Sequence, residues 1–129
     1  MKKIGVVGTR KRNAGIDRKA VREKFFEVYE KGDWIVSGGC SKGGDRFAAE
    51  FAKKYGIPIL TMYPDYERFG RGAPIVRNGP VAEMSDVVVA CVVDPGDGID
   101  LILKRKEGGT EDMLRKFVKA HPEGKVYLV

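Results

Sequence analysis

An unbroken apolar run, Val87-Val88-Val89-Ala90-Cys91-Val92-Val93, follows Asp86 directly. A strand with one wet face alternates apolar and polar side chains. A β-branched run without alternation reads as a strand covered on both faces, which is the mark of the centre of a parallel sheet. Parallel neighbours need crossover connections, normally helices, and the rest of the chain is patterned to supply them. Ile4-Gly5-Val6-Val7 reads as strand 1, ending in Gly8. Asp17 is placed to cap a helix whose face carries Val21, Phe25, Val28 and Tyr29 and which stops at Gly32. Trp34-Ile35-Val36 is strand 2, and Phe47, Ala48, Phe51, Ala52 and Tyr55 form a helical stripe closed by Gly56. Ile59-Leu60-Thr61-Met62 is strand 3.

The aromatic and polar stretch from Tyr63 to Arg71 reads as a loop. Between Pro74 and Met84, Gly79-Pro80 predicts two short helical pieces, because proline has no N–H to donate and crowds the turn before it. The valine run is strand 4, and residues 94–108 read as an irregular excursion. Gly109-Thr110 then opens a helix with Met113, Leu114, Phe117 and Val118, and Val126-Tyr127-Leu128-Val129 closes the chain as strand 5.

Right-handed βαβ connections turn this order into one α/β domain over residues 1–129. The expected architecture is a Rossmann-like three-layer domain with a five-stranded parallel sheet of order 3-2-1-4-5. At 129 residues and 43% hydrophobic content the chain supplies one core. No apolar run approaches the roughly 20 residues of a membrane span, and Met1-Lys2-Lys3 leads straight into a strand with no signal-peptide core. A soluble, cytoplasmic protein is the expectation, with Cys40 and Cys91 as free thiols and no metal site.

Function is sought where the strand order reverses, at the carboxyl ends of strands 1 and 4. Charge favours an anion there. Of the 24 Lys and Arg and 18 Asp and Glu, residues 1–60 hold 14 and 7, and residues 61–129 hold 10 and 11. The loop after strand 2, Ser37-Gly38-Gly39-Cys40-Ser41-Lys42-Gly43-Gly44-Asp45, lets backbone amides come close to a phosphate at a helix start. It fits neither the Walker pattern nor the dinucleotide GxGxxG pattern, and a tight turn with Asp45 in the first helical turn is its plainer reading. The loop after strand 4 repeats the chemistry with Gly108-Gly109-Thr110. After strand 1, Gly8-Thr9-Arg10 adds a hydroxyl and a guanidinium suited to bidentate phosphate binding. Arg77-Asn78 lies near the same edge.

Taken in order, Gly8-Thr9-Arg10, Val36-Ser37-Gly38-Gly39, Gly43-Gly44-Asp45-Arg46-Phe47-Ala48, Arg77-Asn78, Asp86 before an apolar strand, and Gly109-Thr110 resemble the SLOG superfamily over nearly the whole chain. That superfamily includes Rossmann-like proteins of the YspA and YpsA type, the Smf/DprA DNA-processing proteins, the lonely-guy phosphoribohydrolases and the molybdenum-cofactor carriers. The resemblance implies a nucleotide or phosphoribosyl-containing ligand whose phosphate is held by the glycine loops after strands 2 and 4. It also suggests a homodimer. The lonely-guy enzymes have Pro-Gly-Gly-x-Gly-Thr-x-x-Glu; here Lys106-Glu107 replaces the start, and Met113 stands where the glutamate belongs. Glu111 and Asp112 are the nearest carboxylates, both out of register.

A binding protein or sensor for a nucleotide is therefore the first expectation. A nucleoside 5′-monophosphate N-glycosidase is the second, and single-stranded DNA binding the third. Among the remaining residues, Tyr63, Tyr66 and Phe69 read as packing on their own domain or as a stacking surface for a base. Lys104-Arg105-Lys106 reads as a basic lid or a charged tip, His121 as an exposed charge at a helix end, and Cys91 as core.

Overall fold

The structure is a computed structural model that describes residues 1–129. Strands β1 (Lys3–Gly8), β2 (Trp34–Ser37), β3 (Ile59–Thr61), β4 (Val87–Cys91) and β5 (Lys125–Leu128) form one sheet. Helices α1 (Gly15–Val28), α2 (Gly44–Tyr55), α3 (Tyr66–Phe69), α4 (Ala73–Met84), α5 (Ile99–Leu103) and α6 (Gly109–Ala120) connect them. All four strand pairings are parallel and the order is β3-β2-β1-β4-β5, as the sequence predicts. The reversal lies between β1 and β4, whose register sets Val6 beside Val89 and Gly8 beside Cys91.

Every residue of β4 is buried, and its side chains divide between two layers. Val87, Val89 and Cys91 pack with Ile4, Val6 and Ile35 against Val21 and Phe25 of α1 and Phe47 and Phe51 of α2. Val88 and Ala90 pack on the opposite face with Val81 of α4, Ile102 of α5, and Met113, Leu114 and Phe117 of α6. This is a three-layer domain, and the period-two division explains why β4 has no polar residue. No helix is long and apolar enough to cross a membrane.

Local rules yield to packing in several places. Residues 73–84 form one helix with Pro80 inside it, not two pieces. Pro80 leaves the carbonyl of Val76 without its helical donor, but Val76 is exposed, while Ala73, Asn78, Val81 and Ala82 are buried on both sides of the proline. Tertiary contacts hold the helix through the defect. Asp17 is not the cap of α1. Ala14 is, and Asp17 reaches back from the third helical position to accept from the Ala14 amide at 3.0 Å. The stretch Tyr63 to Arg71 contains α3 and a 3₁₀ turn, Gly70–Gly72, with Asp65 accepting from the Arg68 amide as the cap of α3. The excursion at 94–108 contains a 3₁₀ turn, Pro95–Asp97, and α5, whose Ile102 reaches the core. His121 is half-buried rather than exposed, with its ring 5.1 Å from that of Phe117 and Nε2 3.1 Å from the carbonyls of Ala82 and Glu83.

A candidate ligand crevice at the strand-order reversal

The loop after β1 is fastened by main-chain and side-chain bonds. The Thr9 amide donates to the Cys91 carbonyl at 2.9 Å, continuing the β1–β4 ladder past the strand end. Arg12 turns inward. Its Nε donates to Asp17 at 2.9 Å, and its Nη1 donates to the carbonyls of Val92 and Val129 at 2.8 and 2.5 Å. Arg10 and Lys11 remain exposed at the mouth of the sheet, and the Arg10 side chain makes no hydrogen bond or ion pair within the protein.

The loop after β2 is shaped by close approach. Gly43 has φ +70°, and a Cβ on it would lie 2.5 Å from the Thr9 carbonyl oxygen; a Cβ on Gly44 would strike the main chain of Val7 and Gly8. These two glycines let the start of α2 rest directly on the end of β1. The loop is also stitched from below. Asp45 is 8% exposed and accepts from the amides of Cys40 and Gly38 at 3.0 and 3.4 Å. The Gly39 amide donates to Ser37 Oγ at 3.3 Å, and the Gly43 amide to Asn13 Oδ1 at 2.8 Å. Burial pushes the Asp45 carboxyl up from the ordinary carboxylate value, against the pull of the two amides and of Arg77. Asp45 therefore does more than complement a helix end. The amides of Ser41 and Lys42, in contrast, have no partner within the protein.

The loop after β4 carries its own acid. Asp94 has φ +51°, the only non-glycine residue with a positive φ. From the far side of this loop Arg105 donates to Asp97 at 2.9 Å and to Glu111 at 3.2 Å, and these two carboxylates raise its affinity for its proton. The Glu111 carboxylate lies against Gly108, the cap of α6, so the positive end of that helix already faces a negative charge. Of the basic run at 104–106, Arg105 is thus engaged internally.

Arg77 and Asn78 of α4 join the loops. Arg77 Nη1 donates to the Gly38 carbonyl, and Asn78 Nδ2 donates to the Gly109 carbonyl and to Asp112 Oδ2, both at 3.0 Å. Asp112 also pairs with Lys116 at 2.9 Å.

What these loops enclose is a crevice of two adjoining lobes that share wall residues. The first, about 350 Å³, lies between the ends of β1 and β4 and the start of α6, with Gly8, Thr9, Asn78, Gly109, Thr110 and Glu111 on its walls. The second, about 360 Å³, is walled by Gly39, Ser41, Lys42, Tyr63 and Tyr66. Arg10, Cys40, Pro74 and Arg77 belong to both. Gly38, Asp45 and Gly108 also line the first lobe. Ser37, Gly43 and Asp112 line neither: the first two are buried beneath the β2 loop, and Asp112 is turned to Asn78 and Lys116. The structure adds Lys11, Ser41 and Pro74 to the walls and Asn13 as a loop anchor. Ser41 lies within the glycine loop already singled out and Lys11 beside Arg10, whereas nothing in the local pattern marks Pro74 or Asn13. Tyr63 and Tyr66 are 73% and 55% exposed and Phe69 is 40% exposed, so these rings do not pack inward on their own domain.

Compared with known proteins, the chain matches no family model, no curated protein and no solved structure.

Proposed function

We propose that this protein is a binding protein or sensor for a nucleotide or nucleotide-derived ligand, held in the two-lobed crevice. The observation that carries the reading is convergence. Loops after β1, β2 and β4, with the first half of α4, open on two adjoining cavities that share Arg10, Cys40, Pro74 and Arg77 at the strand-order reversal, where parallel α/β sheets bind their ligands. Each lobe falls within the usual size of ligand pockets, about 300–1,000 Å³. The walls combine cations, a threonine hydroxyl and two exposed tyrosines, a set that offers charged, polar and aromatic contacts to such a ligand. The resemblance to the SLOG superfamily supports the same ligand class.

Glycosidic cleavage is the less favoured reading. Glu111 is the carboxylate best placed in the first lobe, and Arg105 holds it, whereas a group that stabilises an oxocarbenium ion must direct its charge at the sugar. Titration calorimetry with nucleoside monophosphates, run beside an assay for free base, separates the two. Saturable binding without base release is the expected result. Catalytic release of base, lost in Glu111→Gln, would replace the sensor by the enzyme, and absence of binding to any nucleotide would remove both. A steep salt slope with oligonucleotides would point instead to single-stranded DNA.

A homodimer is proposed on the face formed by α3 and α4, where Tyr66, Phe69, Ile75, Val76 and Met84 are exposed.

A further inference from the structure

We infer that the ligand's phosphate end occupies the second lobe, on Arg10, Lys42, Arg77 and the amides of Ser41 and Lys42, and that it is a pyrophosphate. The sugar then lies in the first lobe toward Glu111. This inference rests on the nucleotide reading and gives it a direction.

The two lobes differ in electrostatics more than in size. In the first, the start of α6 has the shape of an anion site, but the Glu111 carboxylate already lies against Gly108 there. The cation paired with Glu111, Arg105, is shared with Asp97 and lines neither lobe. Arg10, Lys11 and Arg77 also line this lobe, but a phosphate at its α6 end would meet the Glu111 carboxylate, whereas a ribose hydroxyl would meet an acceptor. The buried Asp45 adds a second carboxyl to the floor of the same lobe.

The second lobe has no acidic residue on its walls. Arg10 and Lys42 are exposed there and belong to no ion pair, and Arg77 bonds only a main-chain carbonyl and the Asn78 amide oxygen. The glycine loop supports the same end. Asp45, Ser37 and Asn13 take up the amides of residues 38, 39, 40 and 43, leaving those of Ser41 and Lys42, at the wall of this lobe, for a ligand. The number of phosphates follows from charge. A phosphate monoester carries about −1.5 to −2 near neutral pH, which leaves three cations undercompensated. A terminal pyrophosphate brings roughly one charge more and extends further along the lobe.

The test compares adenosine, AMP, ADP and inorganic pyrophosphate, with the guanosine series alongside, by titration calorimetry and ³¹P NMR. Wild type, Arg10→Ala, Lys42→Ala and Glu111→Gln are used; the first two side chains are solvent-exposed, and circular dichroism checks each fold. A charge-assisted bond is worth enough that each cation deletion should weaken diphosphate binding about tenfold. The expected pattern is diphosphate tighter than monophosphate in wild type and in Glu111→Gln. In Arg10→Ala and Lys42→Ala that preference collapses, and pyrophosphate competes with ADP or GDP in wild type and Glu111→Gln but not in the two cation deletions. Equal affinity for mono- and diphosphates in wild type would overturn the inference and leave the nucleotide reading standing. So would a diphosphate preference that survives both cation deletions. Pyrophosphate binding that depends on Lys42, without binding of any nucleotide, would keep the anion lobe and remove the nucleotide reading. Binding of none of the probes would remove both.

Discussion

Asp45 shows how one side chain can serve stability while shaping a site. Its carboxylate takes the amide of buried Gly38 and that of half-buried Cys40. Asp45→Ala strands the buried Gly38 amide, at about 1–3 kcal/mol for an unsatisfied group, releases that of Cys40 at the crevice wall, and should lower the urea midpoint. Asp45→Asn keeps an acceptor, removes a buried charge and should be far milder. Because burial raises the Asp45 pKa in the fold, the native state holds this proton more tightly than the unfolded chain does. The stability this provides is complete below the ordinary value of 3.8 and is lost as pH rises through the folded value. Wild type should thus lose ground to Asp45→Asn as pH climbs out of the acid range, as paired melts would show. Asp33 works in the opposite sense. Burial would raise it, but Lys2 at 2.6 Å and the amides of Glu30 and Lys2 hold it below 3.8. Its contribution is present above that value and disappears as pH falls below it, so acid unfolding should begin there. The two thiols offer a simpler check. Burial pushes Cys91 up to about 11, while Cys40 stands half-buried on the wall of both lobes. Iodoacetamide should label Cys40 alone in the native protein and Cys91 only after unfolding, with ADP slowing the first reaction.

Elements were legible where burial and periodicity agree. The unbroken run at 87–93 identified an interior strand, β4, because both its faces are covered, although β1 is the middle strand of the sheet, and the stripes of α2 and α6 were clear because each helix buries one face. Misreadings came where tertiary contacts override a local signal. Gly79-Pro80 looked like a break, but α4 runs through it because Asn78, Val81 and Ala82 are buried around it. Pro80→Ala restores the donor for the Val76 carbonyl and removes a ring from the helix interior. It should therefore stabilise the protein, by up to about 3 kcal/mol, and chemical denaturation can measure the gain. α3 and α5 escaped notice because helices of four or five residues have too few turns to show a period. The crevice was legible in outline, since glycine loops after strands 1, 2 and 4 follow from the topology. The division of those loops' amides between protein and ligand was not, because it depends on Asn13 reaching Gly43 and on Asp45 turning under its own loop.

Across the whole molecule, the fold gathers the charge asymmetry of the chain into one opening. Arg10 and Lys42, from the basic first half, face Glu111 from the second across the two lobes. Ligand affinity should accordingly fall with ionic strength, though gently, because only a few cations take part. The exposed residues of α3 and α4 make a second prediction at this scale. Light scattering should give twice 14.3 kDa, and Val76→Glu should return a monomer; a monomer for wild type at high concentration would remove the dimer. Arg12 has a further consequence for anyone wiring this protein to a reporter. The guanidinium that steadies the Arg10 loop also grips the carbonyl of Val129, so the mouth of the crevice and residue 129 share one mechanical anchor. A fluorophore near residue 129 should therefore change its signal when an anion binds at Arg10, and one beside Asp17 on α1, held by the same guanidinium, should respond with it.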